Sequence, residues 1–122
     1  MTLKQFLVNE VNKNNAQAQG CLAKISNNPL NHMEWYGEWL YKSHFLNSLL
    51  SEASDNILLG KSDEQVINEA ITKAKRFLTR GKPYVASQNL MAMAISMWQT
   101  ECYQTFFNLM TCARDFIKIK DI

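Results

Sequence analysis

The residues able to do chemistry are few and badly spaced for it. His32 and His44 stand twelve positions apart, about a third of a turn from each other around a helix. The sequence has no H-E-x-x-H and no C-x-x-C. A di-iron bundle needs Glu-x-x-His on two helices, yet Glu34 meets Gly37 at that step and Glu38 meets Tyr41. Cysteines at 21, 102 and 112 are odd in number, unlike the even, dense set of a disulfide framework. Cys102 or Cys112 paired with a histidine would make a nucleophile. Both fall on a predicted helix seam, however, where a thiol serves as a small hydrophobe. With only 4 glycines, the chain has no G-x-S-x-G elbow, phosphate loop or dinucleotide fingerprint. Glu101 is the one polar residue out of place. It is the only charge between Pro83 and Ala113. Buried, it would titrate high and serve as an acid or base; the expectation is a pair with a lysine or arginine of a neighbouring helix. No catalytic residue, metal or cofactor is expected.

Recognition has better candidates. Residues 35–41 read Trp-Tyr-Gly-Glu-Trp-Leu-Tyr and hold two of the 3 Trp and two of the 4 Tyr. Consecutive helical residues point about 100° apart, so these rings cannot all face one core. The periodic stripe through Tyr36, Trp39, Leu46 and Leu50 is expected inside, with Trp35 at its edge and Tyr41 largely outside. Trp35, Glu38, Tyr41 and Glu34 are then candidates for contact with a basic protein partner, because Trp and Tyr concentrate in binding hot spots. A second candidate is the basic run 73–82. Lys73, Arg76 and Arg80 share a helical face, with Lys82 following, and such a row suits phosphates. No aromatic interleaves on that face to stack bases, so nucleic acid is not favoured.

Four helices position these residues. The first is expected over 2–27, capped by Thr2 with Gln5 in the capping-box position and ended by Asn28-Pro29. A second, over 31–53, starts with a cap at Asn31. A loop follows over 55–61. The third, over 62–80, has a Ser62 cap with Gln65, acids in its first turn, bases in its last and Gly81 beyond its end. Its apolar face is Val66, Ile67, Ala70, Ile71, Ala74, Phe77 and Leu78. Pro83 opens the fourth, over 83–118, whose seam Met91, Ile95, Trp98, Cys102, Thr105, Leu109, Cys112 and Phe116 keeps a strict four–three step. That helix is apolar on several faces, so it is expected at the bundle centre or in a subunit interface. Met93, Met97, Tyr103 and Phe107 are the interface candidates, in a homodimer or a heterocomplex.

Composition sets the class. The chain has 122 residues, 47% hydrophobic and 20% charged, with a net charge of +2, ordinary for one globular domain spanning 1–122. Only 4 Gly and 2 Pro argue against an all-β fold, which turns every ~8–12 residues. No apolar run reaches the ~18 residues of a membrane helix, and the N-terminus lacks a secretory pattern, so a cytoplasmic, all-α bundle is expected. Charge is segregated: residues 31–69 carry −5 and residues 70–82 carry +5. The expected function is non-enzymatic binding of another protein, as small inhibitors, immunity proteins and adaptors of bacteria or phages do. The alternatives are nucleic-acid binding through 73–82 and a small-ligand pocket inside the bundle lined by Met, Trp and Cys.

Overall fold

The computed structural model describes residues 2–80 and 90–120, with side chains over 2–30, 35–80 and 92–116. These form four helices and no strand: α1 (Leu3–Asn27), α2 (Pro29–Leu58), α3 (Asp63–Arg80) and α4 (Leu90–Lys120). The all-α four-helix expectation holds. Glu34 and Met91 lie outside the described side chains, and Gly81, Lys82 and Pro83 outside the described residues.

The starts of α1 and α3 follow their caps. Gln5 N donates to Thr2 Oγ1 at 3.1 Å and Thr2 N donates to Gln5 Oε1 at 2.9 Å, closing the capping box. At α3, Gln65 N donates to Ser62 Oγ at 3.2 Å, but the Gln65 side chain turns forward to Glu69 at 3.1 Å. Only half of that box forms.

Helix α2 departs from expectation at both ends. It starts two residues before Asn31, with Pro29 in the first turn after the extended Asn28. A fixed φ and a missing N–H suit proline to that position. Nor does it stop at 53. Ile57 packs on the core and carries the helix on to Leu58. Gly60 then takes φ +94. Gly60 N donates to Ile57 O at 3.0 Å and Lys61 N to Asn56 O at 3.2 Å, the paired bonds of a Schellman cap. At 30 residues α2 nearly equals the 31 of α4.

Directions follow from cross-helix pairs. Asn47 Nδ2 donates to Asn15 Oδ1 at 2.6 Å, placing α1 antiparallel to α2 across the one-residue turn at Asn28. Lys73 of α3 meets Glu52 of α2, so α3 runs back along α2. Tyr41 touches Trp98 and Phe45 touches Tyr103, so α4 runs parallel to α2. The order is up-down-up-down. One hydrophobic cluster draws on all four helices, including Leu3 and Leu7, Leu49 and Leu50, Val66 and Ile67, and Phe106 and Met110. The central helix is α2, which packs against the other three; α1 and α4 barely meet. That corrects the expectation of α4 at the centre.

The apolar face of α3 is as expected: Val66, Ile67, Ala70, Ile71 and Ala74 are buried, with Phe77 and Leu78 packed on the cluster. The α4 seam is rotated. Its buried residues are Ser96, Cys102, Tyr103, Phe106, Met110 and Ala113, whereas Phe116 is 50% exposed. Thr105 and Cys112 are exposed as well. The true line through 96, 103, 106, 110 and 113 is the expected one moved on by a single position. A helix apolar on several faces offers more than one acceptable phase, and the neighbours decide. Tyr103 is therefore core, stacked on Phe77 at 4.1 Å. Phe107 is partly buried against the cluster with Lys75 over its ring. Neither is free for an interface. Met93 is half-buried, and of the four candidates only Met97, at 54%, is well exposed.

The same rotation sorts the thiols. Cys21 and Cys102 are buried, whereas Cys112 is exposed, against the expectation that Cys102 and Cys112 both lie on a packed seam. A thiol reagent applied to the native protein near neutral pH should modify Cys112 rapidly. Cys21 and Cys102 should react only at the rate of unfolding, which mass spectrometry of timed samples can follow. Fast labelling of Cys102 would contradict the seam described here.

Candidate binding cleft

Because α1 and α4 flank α2 without closing on each other, a cleft of about 280 Å³ opens between them. Its floor on α2 is Trp39, Lys42, Ser43 and Leu46. Asn14 and Gln17 form the α1 wall; Glu101, Cys102 and Thr105 form the α4 wall.

Lys42 organises the charge. Its ammonium contacts Glu101 and lies 3.5 Å from Glu38, with the Trp39 ring centroid 5.0 Å away. Burial works against the charged form, but the hydrogen bond and charge of Glu101, then Glu38, outweigh it and hold the Lys42 pKa above the ordinary lysine value. The expectation that Glu101 pairs with a neighbouring helix is met, and its side chain keeps 56% exposure. Cys102 Sγ donates to Lys42 O at 3.4 Å. Burial raises the Cys102 pKa to about 11 despite the nearby lysine, so at neutral pH the group is a thiol and not a nucleophile. A fixed ammonium, an accessible carboxylate and a neutral thiol suit recognition. Among the described residues no group of three or more His, Cys, Asp and Glu could hold a metal ion.

Asn14 is the unexpected member. It is 9% exposed, and its Nδ2 has no hydrogen-bond partner among the described residues. The heptad-like run Leu7, Val11, Asn14, Ala18, Cys21 and Ile25 placed it on the core face. The visible signal was an Asn in a core position, where a polar side chain needs a partner.

The aromatic candidates divide differently from expectation. Trp35 is 66% exposed, at the surface as foreseen. Trp39 is 38% exposed rather than core, although Ser43, Leu46 and Leu50 below it are buried. Tyr41, expected outside, is half-buried. Its ring lies 5.5 Å from Trp98 and stacks on Phe45 at 6.1 Å, and its hydroxyl accepts from Gln99 Nε2 at 3.0 Å. Both departures have one cause. In this half of α2, α4 lies on the Tyr41–Phe45 side and α1 does not close over Trp39, so the core turns away from the apolar stripe. The cleft therefore brings together Trp39 and Glu101, joins Glu38 to them through Lys42, leaves Trp35 one turn away, and excludes Tyr41.

The basic row is engaged at Lys73 and open at Arg76 and Arg80. Lys73 pairs with Glu52 at 2.5 Å, and Lys75 covers Phe107. Arg76 and Arg80 are exposed, with Arg76 sharing a shallow surface pocket with Glu69. No helix among the described residues is long and apolar enough to cross a membrane. Comparison with known protein families, curated proteins and solved structures found no match.

Proposed function

We propose that this chain acts by binding another protein, in the cytoplasm and without catalysis, as an inhibitor, immunity protein or adaptor does. The observation that carries this is the pair Trp35 and Trp39, one helical turn apart on α2, 66% and 38% exposed, Trp39 in the floor of the cleft and Trp35 beside it. Exposing two indoles to water is unfavourable, and large aromatics beside a desolvated pocket are the usual centre of a protein–protein hot spot. Glu38 and Glu101 put carboxylates beside that pair, which suits a basic partner. A homodimer is the other arrangement, and Met97 and Phe116, each about half exposed, would supply its contacts. The nucleic-acid alternative has less support, because Glu52 pairs with Lys73 and Glu69 shares a surface pocket with Arg76.

The test compares folding and binding on the same variants. Trp35→Ala should leave thermal unfolding almost unchanged, within about 0.5 kcal/mol as at ordinary surface sites. It should weaken capture of the partner by about 1–2 kcal/mol, roughly 5–30-fold. The partner is identified by affinity capture from the native host, and its affinity is then measured with purified proteins. If Trp35→Ala and Trp39→Ala both bind it like wild type, the aromatic surface is not the docking face.

A further inference from the structure

The protein-binding proposal leaves the chemistry of the partner open, and the following inference rests on it. We propose that the cleft between α1, α2 and α4 receives an arginine side chain of the partner.

Two independent features of the cleft point to that occupant. The first is charge. Glu38 and Glu101 stand against the single ammonium of Lys42, and among the described residues no second cation lies within ion-pair range of either. The site is one positive charge short. Glu101, 56% exposed, keeps an open approach for that charge. The second is the indole of Trp39 in the floor of the cleft, with Trp35 one turn along. Arginine satisfies both features better than lysine, since its planar guanidinium stacks on aromatic rings and pairs with a carboxylate through two parallel bonds. An acidic segment would meet the excess carboxylates and be repelled.

A defined probe tests this on the full chain. A short, capped, alanine-based peptide with a central arginine, free of Trp and Tyr, is titrated against the protein. Tryptophan emission and the side-chain amide signal of Asn14 in a nitrogen–proton spectrum are followed together. Matched peptides carry lysine or citrulline, which keeps the shape of arginine without its charge. The arginine peptide should bind saturably and shift the Asn14 signal. The lysine peptide should bind more weakly, and the citrulline peptide about tenfold more weakly or not at all. Glu101→Gln, at an exposed position, should keep the fold and cost about tenfold for the arginine peptide only.

Equal binding of the arginine and citrulline peptides would overturn the proposal, and so would an unchanged affinity in Glu101→Gln or a silent Asn14 signal. If the arginine peptide fails while Trp35→Ala still loses the captured partner, the arginine assignment falls and the protein-binding proposal stands. If the peptide binds with the expected dependence on Glu101 while both tryptophan variants retain the partner, the cleft assignment stands and the tryptophan surface falls.

Discussion

Replacing Tyr103 with alanine should destabilise the protein by about 3–5 kcal/mol, as deleting a large buried aromatic does. Tyr103 is 8% exposed. Its ring stacks on Phe77 of α3 at 4.1 Å and meets Phe45 of α2 edge-on at 5.6 Å. Deleting the ring leaves a cavity where three helices meet, and neither aromatic neighbour can collapse into it without leaving its own site. The loss is read from denaturant unfolding as a fall in midpoint at constant slope. Tyr103→Phe keeps the ring and should stay within about 1 kcal/mol of wild type. The sequence pattern put Tyr103 off the α4 seam and so among candidates for a subunit interface. If Tyr103→Ala keeps its stability and instead weakens self-association, that placement is right and the packing described here is wrong.

How much of this was legible in the sequence depended on how strongly local chemistry contradicted the alternatives. Helix α3 was read almost residue by residue, because charged residues leave only one face apolar and both termini carry charges that agree with the helix dipole. The start of α1 was equally plain, since Thr2 and Gln5 form a two-way capping signature. The end of α2 was not. Asp55 and Asn56 favour turns, yet burying Ile57 outweighs that preference and the helix runs on to the stop at Gly60. The phase of α4 was not legible either. From Pro83 to Ala113 only Glu101 is charged, so rotating the helix by one residue exchanges one set of apolar side chains for another at little cost. The cleft was half visible. Glu101 announced a partner on another helix and the indoles announced a surface. Asn14, however, reaches them only because α1 and α4 fail to close over α2, and no local pattern encodes that gap.

Helix α4 offers a direct test of which face is buried. Phe106 is 2% exposed and belongs to the shared core cluster. Thr105, one position earlier and on the expected seam, is exposed, and its hydroxyl only bonds back to Glu101 O at 3.0 Å. Phe106→Ala should therefore cost about 3–5 kcal/mol, and Thr105→Ala should stay within about 0.5 kcal/mol, as surface substitutions do. The same contrast should recur one turn along. Met110→Ala removes a fully buried side chain and should cost about 2–5 kcal/mol, whereas Cys112→Ala, at an exposed position, should be nearly neutral. Four denaturation curves decide the matter. If Thr105 and Cys112 prove the costly pair, α4 is turned by one residue, and Glu101 and Cys102 would leave the cleft wall with it. If Phe106 and Met110 prove costly, Glu101 is held beside Lys42 by a core that cannot rotate, and the open carboxylate is a fixed feature of the fold.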